Sequence, residues 1–201
     1  MKTPERAKLA KLIKEKAKFQ QTGKPRKEAE VCSKIGRHHI RNGQFQEAIE
    51  EYRYEMQLWI RQKDMMGEAM CHRSLGECYA ELGYFPMALQ HHDKYMAWAE
   101  STKNYAELQR ALATLGRTFI CKAASVDEKN SPEAKTSITK SEQALLRSMS
   151  VCDNYLKGVV SESELQQMKG RLFLNLGLVY MHQESFNKSV GSIEKAIRIA
   201  E

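Results

Sequence analysis

Apolar side chains recur at helical spacing through most of this chain, and one short apolar phrase returns four times. It reads Cys32-Ser33-Lys34-Ile35-Gly36, His72-Arg73-Ser74-Leu75-Gly76, Leu112-Ala113-Thr114-Leu115-Gly116 and Phe173-Leu174-Asn175-Leu176-Gly177. The first three glycines stand 40 residues apart, and three residues after each of the four comes a ring: His39, Tyr79, Phe119 and Tyr180. Self-similarity at such a period marks a stacked array of helical units. Arrays of this kind bury their core between neighbours and usually bind other chains rather than perform chemistry.

The pattern predicts the elements in order. Thr3-Pro4-Glu5 opens a first helix that runs to Gln21, with Thr22-Gly23 ending it. Ala10, Ile13, Ala17 and Phe19 form its apolar stripe, and residues 1–24 are expected to be a basic capping helix. Four hairpins follow over 25–201, with repeats at about 26–63, 66–102, 104–157 and 161–201. Gly43 and Gly83 turn the first two hairpins, Phe45 matches Phe85, and Ala48 matches Ala88. Small residues there, and the glycines of the phrase, let the two helices approach closely. A glycine inside a helix costs about 1 kcal/mol against alanine, so four aligned ones need a packing reason.

The third repeat departs from the period. Gly116 to Gly177 is 61 residues, and the excess falls near 122–136. A longer first helix, an exposed loop near Asp127–Asn130 and a second helix from Pro132 to Leu156 are expected, with Gly158 as its stop. Ser161 and Glu164 read as a capping box for the fourth repeat, which turns near Glu184-Ser185. Its last helix is still running at Glu201, with Ile193, Ala196, Ile197 and Ala200 unfollowed by a polar cap, so a longer protein is expected.

Charge refines this picture. The formal net charge is +7, yet residues 1–41 carry 13 Lys/Arg against 4 Asp/Glu, which leaves the remainder at −2. The array itself is therefore a poor nucleic-acid binder, although the lysines of the first helix read either as a solvated face or as a phosphate-binding or nuclear-targeting cluster. Five cysteines form no C-x-x-C pair and read as reduced intracellular thiols. No stretch is apolar enough to suggest a membrane span or a signal core.

The phrase Leu-Gly, a ring three later, a turn glycine, an aromatic and an alanine resembles tetratricopeptide repeats, whose period is about 34 residues. At 40, the two helices gain six residues, roughly 9 Å at about 1.5 Å each. The strings Glu107-Leu108-Gln109-Arg110-Ala111-Leu112-Ala113-Thr114-Leu115-Gly116-Arg117-Thr118, Arg171-Leu172-Phe173-Leu174-Asn175-Leu176-Gly177-Leu178 and Ala88-Leu89-Gln90-His91, with the expanded third repeat, resemble the N-terminal repeat domain of the Tonsoku-like family. That resemblance implies a nuclear scaffold for repair of stalled or broken replication forks, with DNA repair, homologous recombination and chromatin as its setting. It further implies that the repeat domain engages histone H3 and that ankyrin repeats elsewhere engage histone H4. Histone chaperones, replicative helicase subunits and a dedicated partner subunit are the other implied partners.

A ligand is expected on the helix face that looks into the groove of such an array. The residues six and three before each glycine, and one and five after it, are Glu30, Ser33, Arg37 and Arg41; Met70, Arg73, Glu77 and Glu81; Arg110, Ala113, Arg117 and Cys121; and Arg171, Leu174, Leu178 and His182. Thr114 and Asn175 stand two before their glycines and suit the main chain of an extended peptide. This face has six arginines against three glutamates, which opposes a lysine-rich tail. The tail could present a weakly charged stretch, with Glu77 and Glu81 meeting a flanking lysine. Alternatively, Glu51, Glu55 and Asp93 could neutralise the arginines. If neither holds, an acidic linear motif is the better partner. Nucleic-acid binding through the first helix is the remaining alternative.

Other constellations are set aside. Adjacent histidines at 38–39 and 91–92 point about 100° apart on a helix and cannot chelate as pairs. His39 and His72 read as structural, as do Trp59 and Trp98. Met56, Met65, Met66 and Met70 read as gap-fillers in the core. No nucleophile, base and orienter assemble by spacing, so no catalysis, metal, cofactor or small-molecule substrate is expected.

Overall fold

The architecture comes from a computed structural model, which describes residues 3–128 and 131–201. Among these the chain is all helical, running α1 (Thr3–Gln21), α2 (Pro25–Arg41), α3 (Phe45–Arg61), α4 (Met65–Glu81), α5 (Phe85–Ser101), α6 (Tyr105–Ala124), α7 (Pro132–Val151), α8 (Glu162–His182) and α9 (Phe186–Ala200). A π-helical turn, Cys152–Leu156, prolongs α7. Lys129 and Asn130 of the expected loop, and the side chains of the Thr3-Pro4 cap, lie outside the described residues.

Local chemistry sets several starts. Asp64, Asn104, Ser131 and Ser161 each accept a hydrogen bond from the backbone N–H three residues on, satisfying one donor that the first turn leaves open. At Ser161 only that half of the capping box is made. Glu164 turns its carboxylate to Arg110 at 3.2 Å instead, because a guanidinium is the stronger partner.

Helices form two compact units, one through Tyr95 and one from Met96 on, with the boundary inside α5. In the first, Ile49, Tyr52, Leu75, Tyr79 and Ala88 form one cluster, and Ala29, Cys32, Leu58, Trp59 and Cys71 form another. In the second, Leu108, Leu112, Ile138, Leu145, Leu165, Leu172 and Leu176 belong to a single core.

The repeated glycines explain how each hairpin closes. A Cβ on Gly36 would stand 2.6 Å from the Tyr52 ring, and one on Gly76 would stand 2.5 Å from the His92 ring. At Gly116 the neighbour is Leu145 at 2.7 Å, and at Gly177 it is Ile193 at 2.8 Å. Every phrase glycine thus holds a large side chain of the opposing helix against bare backbone. One turn before that side chain sits Ala48 or Ala88 in the first two hairpins. In the last two, Ser141 and Ser189 replace alanine, and their hydroxyls donate to the carbonyls of Gly116 and Gly177, both at 2.8 Å. This satisfies a polar group that would be costly to bury alone.

The first helix corrects the sequence reading. Ala10, Ile13 and Ala17 are exposed, Ile13 by 52%, while Leu9, Leu12, Lys16 and Phe19 are among the half-buried positions. The reason is register. Helices α1, α3 and α5 end at Gln21, Arg61 and Ser101, 40 residues apart, so α1 is the second helix of a half-repeat. Ala10, Ile13 and Ala17 therefore align with Glu50, Arg53 and Gln57, which are also exposed. Lys16 reaches Glu51 at 2.8 Å and lies 4.5 Å from the Tyr54 ring centre, so one lysine of the basic face is spent on internal packing.

Candidate functional site

Each of the two units carries part of the expected ligand face. In the first, Ser33, Arg37, Ile40 and Arg41 of α2, Tyr52 and Glu55 of α3, and Met70, Arg73, Ser74 and Glu77 of α4 surround a cleft of about 380 Å³. The structure thus brings together six of the expected ligand-face residues, Ser33, Arg37, Arg41, Met70, Arg73 and Glu77. Glu30 and Glu81 are exposed and do not line it.

The cleft's floor was not legible from the face alone. Glu55 is 5% exposed, and one of its carboxyl oxygens accepts from Trp59 Nε1 at 3.0 Å. The other is buried without a nitrogen or oxygen partner, and the weakly donating Cys71 thiol is the group that faces the carboxyl from α4. Burial pushes this carboxyl up to about 7, against the pull of Trp59, Cys71 and Arg37. Only the 40-residue register could have flagged it: one turn after Tyr52, it faces the same interior.

Of the helix-B carboxylates considered, only Glu55 feels one of the arginines, Arg37, and none forms an ion pair with them among the described residues. Glu51 is taken by Lys16, Glu55 is buried beneath the cleft, and Asp93 is exposed. Two of the arginines, Arg73 and Arg110, meet acids of the first helices of the hairpins instead. Arg73 Nε sits 3.9 Å from Glu77. In the second unit Arg110 pairs with Glu107 of its own helix and with Glu164 of α8.

The second unit carries the rest of the expected face. Thr114 is half-buried, and its hydroxyl donates to the Arg110 carbonyl at 2.8 Å, so this donor is turned inward rather than offered to a ligand. Asn175 is half-buried, and no hydrogen bond joins its amide to another described residue. It lies between Leu174 and Leu178, which are 50% and 42% exposed. Arg117 and Arg171 are exposed, while Ala113, Cys121 and His182 are half-buried. Two exposed leucines flanking an amide on α8 suit a peptide with little charge of its own.

The residues set aside by sequence fall mostly inside. His38 is buried and lies 3.2 Å from Glu5, and His39 bonds Gln44 at 3.1 Å. His72 and His91 join through their Nδ1 atoms at 2.7 Å. Trp59 is buried. Met65 and Met66 are a correction: they are exposed, Met65 by 68%, because they open α4 beyond the packed part of its face. Among the described residues no three of His, Cys, Asp and Glu gather as a metal site requires, and no helix is long and apolar enough to cross a membrane.

Comparison with known proteins adds the ancestry. The tetratricopeptide repeat family model matches residues 170–201, which span most of α8 and all of α9. Tonsoku-like proteins of Mus musculus, Bos taurus and Danio rerio are 34%, 33% and 38% identical over 193 residues, or 96% of this chain. The chain spans only 14% of the length of the mouse and cattle proteins and 13% of the zebrafish one. In structure it is similar to BtubC (BKLC) from P. vanneervenii, with a TM-score of 0.66 and 18% identity, over 88% of this chain and 64% of that one. A putative kinesin light chain with TPR-like repeats from Podosopora anserina matches all of this chain and 97% of its own, at a TM-score of 0.56 and 13% identity. These two likenesses speak to fold alone. With the repeated glycine phrase, the helix order and the similarity over nearly its whole length, the chain belongs with the tetratricopeptide-repeat domains of the Tonsoku-like family.

Proposed function

We propose that this array is the histone-reading module of a nuclear scaffold for replication-coupled DNA repair, and that its second unit docks the tail of histone H3. Peptide capture is what repeat arrays do with their helix faces. The observation that carries the reading is the α8 surface, where the unbonded Asn175 amide stands between exposed Leu174 and Leu178. An asparagine amide offers both a donor and an acceptor, which matches the main chain of an extended peptide. Elsewhere in this unit Arg110 is paired with Glu107 and Glu164, which lowers the positive charge that a basic tail would meet. The identity of the ligand is what the resemblance to the Tonsoku-like family implies. Histone chaperones and replication and repair proteins belong to the longer protein in this reading.

Calorimetric titration with an unmodified H3 tail peptide near 0.15 M salt tests it. One-to-one binding near micromolar, about −8 kcal/mol, is the expected result. Asn175→Ala should weaken it about tenfold, about 1.4 kcal/mol, by removing two peptide hydrogen bonds. Absence of saturable binding below about 100 μM would refute the histone reading for this chain.

A further inference from the structure

The cleft of the first unit has a chemistry that hairpin packing does not require. Arg37 and Arg41 stand one turn apart on α2, both exposed, and neither forms an ion pair among the described residues. Ser33 and Ser74 add hydroxyls to the same rim, and Arg73 adds a third guanidinium. Beneath them lies Glu55, nine-tenths buried, with one carboxyl oxygen lacking a nitrogen or oxygen partner. Three arginines face Glu77 and a carboxyl that is about half protonated near neutrality, so the recess is net positive. A lysine entering it would meet three like charges. A carboxylate would meet two guanidinium forks, which fit its geometry, and a protonated Glu55 would offer it one more donor.

We propose that this cleft binds an acidic side chain of a partner's extended peptide, held by Arg37 and Arg41 over the Glu55 carboxyl. The site goes beyond tail docking: it lies in the other unit and selects the opposite ligand charge. A peptide fits better than a nucleic-acid backbone because Glu30, Glu77 and Glu81 share these two helices. A run of phosphates would meet those acids, whereas a single carboxylate reaches the arginines alone. The groups facing Glu55 are Cys32 and Arg37 from α2, Cys71 from α4, and Glu51, Tyr52 and Trp59 from its own helix. Burial drives both thiols and the Tyr52 hydroxyl upward, so between pH 6 and 8 the titrating group of this set is Glu55.

The test is fluorescence anisotropy with a rhodamine-labelled decapeptide alternating Glu and Ala, against its Gln/Ala counterpart and a labelled single-stranded oligonucleotide. The Glu peptide should bind at least tenfold tighter than the Gln peptide, and tighter at pH 6 than at pH 8. Arg37→Ala/Arg41→Ala should weaken it at least tenfold with an unchanged melting temperature, since both side chains are exposed. Glu55→Gln should bind it at pH 8 at least as tightly as the native chain and lose the pH dependence. Equal binding of the two peptides, no saturable binding of the Glu peptide up to about 1 mM, about −4 kcal/mol, or no effect of the double variant overturns the proposal. Tighter binding of the oligonucleotide, abolished by the same variant, overturns it in favour of a phosphate site.

Discussion

Gly36 shows how much a single missing Cβ decides. Its place against the Tyr52 ring leaves no room for a methyl group, and Tyr52 is too buried to move aside. Gly36→Ala should therefore destabilise the protein by about 1–3 kcal/mol, although alanine is the better helix former. Gly191 is the control. It also lies in a helix, α9, but a Cβ there would meet nothing within 4 Å. Gly191→Ala should stabilise by about 0.5–1 kcal/mol. Urea unfolding of both variants measures the two signs, and equal shifts would show that the close approach carries no energy. The existence of such contacts was legible in the sequence as aligned mid-helix glycines. Their partners were not, because Tyr52, His92, Leu145 and Ile193 share no chemistry that a pattern could pick out.

Turns are governed at the level of the element. Gly43 and Gly83 close the first two hairpins at φ +71 and +77, in the left-handed region. The same place in the last hairpin is Glu184 at φ +57, where a side chain crowds the following carbonyl. Glu184→Gly should raise stability by up to about 1 kcal/mol, whereas Gly83→Ala should lower it by about 1 kcal/mol. Thermal melting followed by circular dichroism reads both, and a loss of stability in Glu184→Gly would mean that its side chain makes a compensating contact. Element positions were largely visible beforehand, through caps and turn glycines. The packing face of α1 was not, because a thin stripe of alanines is a weak signal beside the 40-residue register that places Leu9, Leu12, Lys16 and Phe19 inward.

At the scale of the whole molecule, buried titratable groups make stability depend on pH. Burial, then the neighbouring His91, pulls His72 and His92 down to about 4, and His91 is lowered by burial and Lys94. The unfolded chain binds protons at these sites from about pH 6.5 downward while the folded chain resists them. Their contribution is therefore present above that pH and lost on acidification toward 4. Glu55 runs the other way. Its folded carboxyl holds a proton up to about 7, so the folded state loses stability as pH rises from the ordinary carboxylate range through 7. Three histidines outweigh one glutamate below 6.5, so the melting temperature should fall from pH 6.5 to pH 5. Above 6.5 Glu55 is the one of these four groups still titrating, and Glu55→Gln should raise the melting temperature at pH 8, by about 1–3 kcal/mol in stability, yet not at pH 5. Equal effects at both values would show that the carboxyl is not held protonated.

The sequence by itself determined the all-helical repeat class, the period, the places where helices pinch together and the helix face that carries candidate ligand residues. These follow from local geometry: period and cap are properties of neighbours along the chain, and a repeated unit copies its neighbour's contacts. Only the tertiary structure decided which acids silence which arginines, which face α1 buries, and that Glu55 lies beneath Arg37 and Arg41. The pairings Lys16–Glu51 and Arg110–Glu164 span 35 and 54 residues. Burial of Glu55 needs three helices at once. Charge energies fall with distance and dielectric, and neither quantity exists until the chain has folded.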